Sequence, residues 1–286
     1  MRAAIGLLAI GLAASAAAQE APPFAAFDMA GPAVLHDPHD LAFGPDGRLY
    51  VADKFGARIA VLDPETLEVV ATHGAGLLPN VHDISFGRDG RAAIAVTGIG
   101  AVLVVEDLAD LAAATVLAAP RTEGALMHSS GRVYAMASGS GRILAYEGER
   151  LVAATEGHYG AHDLAEDGQG NLWVADNFAR RLVKYSPALE RLQVLDAAKF
   201  GFEGPRYLDV DAMGRLVVAD QDAHRVLLID PEGPEGGSLL GVLGTGEPGE
   251  GPGLFDDPEG VAAAGNRYFI ADSDNNRIVR YVVVMN

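Results

Sequence analysis

Short apolar runs punctuated by glycine turns recur along this chain, among them Leu49-Tyr50-Val51-Ala52, Leu172-Trp173-Val174-Ala175, Leu216-Val217-Val218-Ala219 and Tyr268-Phe269-Ile270-Ala271. These runs are apolar at consecutive positions instead of alternating, and they are too short for helices. That pattern predicts strands covered on both faces. Each run ends on an aspartate, Asp53, Asp176, Asp220 or Asp272, and an arginine follows five residues later as Arg58, Arg181, Arg225 or Arg277. Degenerate copies place Val96 with Ala101 and Ala137 with Arg142, so six units recur at spacings of 39 to 52 residues. Ahead of the second strand stand turns such as Gly44-Pro45-Asp46-Gly47, Gly87-Arg88-Asp89-Gly90 and Asp167-Gly168-Gln169-Gly170, where glycine supplies the positive φ of a tight connection.

Each unit therefore reads as four strands, and strands covered on both faces require neighbouring units to stack on them. The predicted fold is all-β, a six-bladed β-propeller. The third strand of unit six, from 277 to 284, leaves only two residues after it. The segment Pro23 to Met29 precedes unit one without a partner of its own. It is expected to supply the outer strand of the last blade and close the ring.

Composition agrees with many short strands, since 49% of residues are hydrophobic, 7% aromatic, and 35 are glycine. A formal charge of -18 disfavours nucleic acid and anionic membranes as partners, and favours cations. Arg2, the apolar run Ala3 to Ala14 and the small triplet Ala16-Ala17-Ala18 before Gln19 read as a signal peptide over 1–18. The remainder, 19–286, is one domain, expected to be a periplasmic or secreted monomer with no membrane span. Cysteine is absent from the sequence, so neither disulfides nor a lipobox contribute.

The chemistry lies in a repeated word. Pro38-His39-Asp40-Leu41 returns as Val81-His82-Asp83-Ile84 and as Ala161-His162-Asp163-Leu164. Fourteen residues before the Asp position of successive units stand His39, His82, Glu123, His162 and Arg206, and Glu259 fills the place in unit six after a one-residue deletion. This slot opens the innermost strand, so a ring would gather all six side chains at one mouth of its central channel. Imidazoles and carboxylates there suit a divalent metal, zinc or calcium, with an open position for water or substrate. The Asp/Arg pairs, repeated in most units, read as architecture. Asp272-Ser273-Asp274-Asn275-Asn276 lacks the glycine and closing glutamate of a calcium loop. Ser129 and Ser130 beside His128 lack a nucleophile elbow.

The Val-Ala-Asp strand end, the arginine after it, and the stretches Phe255-Asp256-Asp257-Pro258-Glu259-Gly260-Val261 and Asn275-Asn276-Arg277-Ile278 resemble the NHL repeat. That family implies a six-bladed propeller. WD40 repeats share the period, but the sequence has no Trp-Asp pair. Among NHL proteins the slot is similar to that of peptidyl-α-hydroxyglycine α-amidating lyases. This resemblance implies zinc on His39, His82 and His162, and calcium held in part by Asp40, Asp83 or Asp163. Here the histidines come from units one, two and four, and only His39 follows a proline. The expected activity is that of a metal-dependent lyase or hydrolase acting on a small molecule or peptide at the channel mouth. Lys54, Arg206 or Tyr207 would position the substrate, with Glu123 and Glu259 completing the metal-side donors. The alternative is a non-catalytic scaffold that binds a protein or ligand through loops such as 244–258. A lactonase-type calcium site is a third reading, but the slot has no asparagine.

Overall fold

The computed structural model describes residues 21–283, which leaves the leader-like segment 1–18 outside the described residues. Its strands, numbered in chain order, form six four-stranded antiparallel sheets. The innermost strands are β2 (Pro38–Phe43), β6 (Val81–Phe86), β10 (Thr122–Met127), β14 (Asp163–Glu166), β18 (Pro205–Val210) and β22 (Pro258–Ala264). Each lies against the innermost strands of both neighbouring blades, and β22 meets β2 to complete the ring. Among the described residues, no helix is long and apolar enough to cross a membrane.

The second strands explain why the blades stack. Leu172–Asp176 and Leu216–Asp220 are buried at every position, because each sheet is sandwiched between its neighbours. Six apolar clusters fill the interfaces between adjacent blades, so the core is a set of radial layers. The layer between blades five and six, for example, joins Val217, Val226 and Leu243 to Val261, Ile270 and Val279. Strand β1 (Ala25–Ala30) pairs antiparallel with β24 (Arg277–Val283) at the outer edge of the sixth sheet. Phe24, just before β1, is fully buried and meets Tyr268 edge to face at 5.4 Å.

The Asp/Arg pairs are structural, as their repetition predicts. The Arg58 guanidinium donates to Asp53 at 2.6 Å, and Arg181, Arg225 and Arg277 do the same to Asp176, Asp220 and Asp272 at 2.8 to 2.9 Å. In three of these aspartates the other carboxylate oxygen accepts from the loop entering the blade, from His36 N to Asp53 at 2.6 Å, Gly204 N to Asp220 at 2.7 Å and Asp256 N to Asp272 at 2.8 Å. One aspartate thus ties the hairpin to the start of the innermost strand. Among the described residues only small helical pieces depart from strands and turns, such as the turn Ala197–Phe200, capped where the Asp196 side chain accepts from Lys199 N at 3.2 Å.

Candidate functional site

Two backbone devices aim the slot residues inward. The residue two places before the slot has positive φ in five blades, as Asp37, Asn80, Arg121, Gly160 and Asp257, which turns each crossing loop sharply into the innermost strand. A register shift then follows at the slot itself, between Pro38 and Leu41, Val81 and Asp83, Thr122 and Gly124, Pro205 and Tyr207, and Pro258 and Val261. A bulge places two successive residues against one on the partner strand. Both residues of the words at His39 and His82 therefore line the channel, on two levels, and His162 with Asp163 do the same without a register shift.

The upper level is a chain of contacts around the mouth. His39 Nδ1 lies 2.9 Å from Glu259 Oε2, 3.5 Å from Asp37 Oδ1 and 3.3 Å from the Asp37 carbonyl oxygen. The His39 and His82 rings meet edge to face at 4.6 Å. His82 Nε2 sits 2.8 Å from Glu123 Oε2, and His162 Nε2 approaches the same oxygen at 3.8 Å. Arg206 donates to Gln221 Oε1 at 2.6 Å and stands 3.4 Å from Glu259, while Gln221 donates to Glu259 at 2.9 Å. Lys54 Nζ is 2.9 Å from Asp37. Tyr207 is fully buried, its ring between those of His39 and His162 at 6.2 and 6.4 Å and its hydroxyl donating to the His82 carbonyl at 3.3 Å.

All six slot side chains therefore share one ring. Among the described residues, the group whose donor atoms converge within 4.8 Å is Asp37, His39 and Glu259. His82 and His162 instead meet on Glu123. Burial and neighbouring positive groups hold the His39 and His162 imidazoles neutral, well below their ordinary pKa, which leaves their lone pairs free for donation. Glu123 is driven the other way, to about 2: burial opposes ionisation, but the hydrogen bond and charge of His82, with the Arg206 guanidinium, outweigh it.

The lower level is acidic. Burial raises the pKa of Asp40 and Asp83, that of Asp83 to about 7, and the charge of Asp83 adds to the rise at Asp40. Asp83 also accepts from Ala125 N at 2.6 Å, and Asp163 from Leu208 N at 2.7 Å. Below them a channel cavity of about 290 Å³ opens towards the far mouth, past Asp209 and Glu166. In blades three and six the corresponding places are Gly124 and Gly260. A side chain on Gly260 would overlap the His39 carbonyl and come within 2.8 Å of Asp40 Cα, so the strand of the next blade occupies that room.

Buried polar atoms without a hydrogen-bond partner concentrate at the upper mouth. Of seven among the described residues, five are there: His39 Nε2, His162 Nδ1, Asn177 Oδ1, Arg206 Nε and Glu259 Oε2. The close approach of His39 Nδ1 to Glu259 Oε2 lacks the alignment of a hydrogen bond. Four of the five atoms are electron-pair donors, which suits a cation. Their arrangement includes positions that repeat counting missed. The residue directly after each Asp position forms a second polar ring of Lys54, Thr97, Ser138, Asn177, Gln221 and Ser273. Thr97 bonds the Thr122 carbonyl, Ser138 the Ala161 carbonyl and Ser273 the Pro38 carbonyl. The signal available was this fixed offset, since among the residue types only serine recurs.

The NHL repeat matches residues 255–281, within the sixth blade. No curated protein matches the chain. Among solved structures, a catalytically inactive virginiamycin B lyase from Staphylococcus aureus with quinupristin is similar over 90% of this chain and 99% of its own, at 10% identity and a TM-score of 0.65. An auxiliary nutrient binding protein from Bacteroides thetaiotaomicron is similar over 86% and 69%, at 16% identity and a TM-score of 0.68. The PQQ-bound aldose sugar dehydrogenase from Streptomyces coelicolor is similar over 92% and 100%, at 15% identity and a TM-score of 0.61. At these identities the likeness is one of fold.

Proposed function

We propose that this chain, an NHL-repeat six-bladed β-propeller, is an exported metal-dependent lyase or hydrolase whose divalent cation is held at the histidine-lined mouth. The observation that carries this reading is the gathering of orphaned, buried electron-pair donors on His39, His162, Asn177 and Glu259. A scaffold role offers no account of them. Export is supported by the leader pattern of residues 1–18.

His39 with Asp37 and Glu259 would hold the cation, and His82, Glu123 and His162 continue the donor set around the ring. Mixed imidazole and carboxylate donors suit zinc, whereas the all-oxygen level of Asp40, Asp83 and Asp163 suits calcium. A divalent cation bound there would lower the pKa of water or polarise a substrate carbonyl. The chain's own groups do the rest. Arg206, fixed by Gln221 and Glu259, presents its guanidinium at the mouth to orient a substrate oxygen. Lys54, held by Asp37, supplies a second positive group at the edge. Tyr207 has no exposed surface and acts as a positioning residue, wedging His39 and His162 apart.

Elemental analysis of protein purified from the periplasm tests the reading. About one equivalent of a divalent metal is expected, lost when His39, His82 and His162 are all changed to alanine. Substoichiometric metal that the triple change leaves unaltered would remove the basis for the proposal.

A further inference from the structure

The rim above the mouth differs in chemistry from one arc to the other. Two residues past each Asp position, at the hairpin tips, the ring carries Phe55, Gly98, Gly139, Phe178, Asp222 and Asp274 in blade order. The phenylalanines stand in blades one and four, on opposite sides, and are 71% and 76% exposed. Between them Gly98 and Gly139 carry no side chain of their own, with Pro79 and the Arg121 side chain lying against them, and Tyr159, 68% exposed, adds a third aromatic ring on that arc. Tyr159 and Phe178 are seated on backbone. A Cβ on Gly141 would fall 2.9 Å from the Tyr159 ring, and one on Gly160 would fall 2.6 Å from Phe178 Cε2. Each ring therefore has one face supported and most of its surface free.

The opposite arc is acidic. Asp222 and Asp274 cap its hairpins, and Asp256 lies in the loop entering blade six, 3.6 Å from His224. The cations of the mouth do not offset this arc, because Lys54 is paired with Asp37 and Arg206 with Glu259. The chain also shows an ammonium at home on this rim: Lys54 Nζ rests 4.6 Å over the Phe55 ring.

From this division we infer that the rim is a recognition site for a small amphipathic organic cation, an apolar body carrying a protonated amine. The body lies on the Tyr159 and Phe178 arc, and the ammonium faces the carboxylates of blades five and six. Ring faces attract an ammonium through their quadrupole, and carboxylates accept its hydrogen bonds. A net charge of -18 draws such ligands in. This inference goes beyond the proposed metal chemistry and does not depend on it.

Isothermal titration of the full mature protein with phenethylamine, neutral phenethyl alcohol and anionic hydrocinnamate, with and without EDTA, tests the inference. The amine should bind about tenfold tighter than the alcohol, and the anion should bind weakest. Phe178→Ala should weaken the amine about tenfold. The double change Asp222→Asn and Asp274→Asn should abolish the preference for the amine while leaving alcohol binding unchanged. These residues are exposed, and circular dichroism would confirm that the variants fold. An anion that binds as tightly as the amine would overturn the inference, as would an unaltered Phe178→Ala variant. Amine binding that vanishes with EDTA would overturn it too, since the amine would then be a ligand of the metal and not of the rim. Metal content is measured separately, so failure of this site and failure of the metal site are distinguishable.

Discussion

Gly260→Ala is the cleanest probe of how the ring is held together at the site. The added methyl would overlap the His39 carbonyl oxygen and lie 2.6 Å from Leu41 Cδ2 and 2.8 Å from Asp40 Cα. Gly260 has no positive φ, so the penalty is steric and not conformational. Two of the obstructing groups are backbone, which cannot rotate away, so β22 and β2 must move apart. Overpacking of this kind costs about 1–3 kcal/mol, and the entropy that alanine removes from the unfolded chain returns only about 0.4–1 kcal/mol. At about 2–4 °C per kcal/mol, the expected fall in Tm is several degrees. Gly168→Ala is the control: nothing lies within 4 Å of its Cβ position, and it should be neutral or slightly stabilising. Both variants would be followed by thermal and guanidinium unfolding. Because the displaced atoms belong to His39 and Asp40, Gly260→Ala should also weaken metal binding while the fold persists. Equal stability and equal metal affinity in the two variants would refute the close approach of β22 to β2.

Three further outcomes follow from the same geometry. Phe24→Ala removes a fully buried ring that packs against Tyr268 and should cost about 3–5 kcal/mol, read as a guanidinium midpoint shift well beyond that of Phe27→Ala on the half-exposed side of β1. Arg225→Met leaves Asp220 buried without its ion pair and should cost about 3–5 kcal/mol, whereas Arg58→Met, where the arginine side chain is 24% exposed and water can reach the pair, should cost clearly less in the same assay. Burial raises the Asp209 pKa to about 6, against the backbone donors Ala263 and Val210, so the folded state holds this proton more firmly than the unfolded chain. The stability it contributes is complete below the unfolded carboxylate value and is lost as pH rises through about 6. Denaturation midpoints between pH ~4 and ~7 should lose that component in Asp209→Asn, and an unchanged pH dependence would refute the assignment.

Much of the architecture was legible in the sequence because its determinants are local. The Asp/Arg spacing spans a single hairpin, and the consecutive apolar positions of Leu216–Asp220 report burial on both faces without knowledge of what does the burying. The slot was legible for the same reason, since one offset from the Asp position reaches the start of the innermost strand in five blades and, one residue shorter, in the sixth. Asp37 was not. It sits two residues before the slot on a crossing loop, and only its left-handed backbone brings its carboxylate beside His39. Gln221 and Asn177 were hidden differently. They share a register with Lys54, Thr97, Ser138 and Ser273, where only serine recurs, and the bond from Gln221 to Glu259 of the next blade depends on how adjacent blades pack. That His82 and His162 would meet on Glu123 while His39 turns to Glu259 is likewise a matter of side-chain packing among six blades, which a linear offset does not encode.

The central claim is that the mouth binds a divalent cation through its slot residues. The most direct measurement is anomalous X-ray scattering at the zinc edge from crystals of the protein exposed to zinc. The account predicts a single strong peak in the upper mouth, about 2.0–2.1 Å from a His39 nitrogen and flanked by Glu259 and Asp37. Density absent from the ring, or confined to surface carboxylates away from His39, His82 and His162, would contradict it.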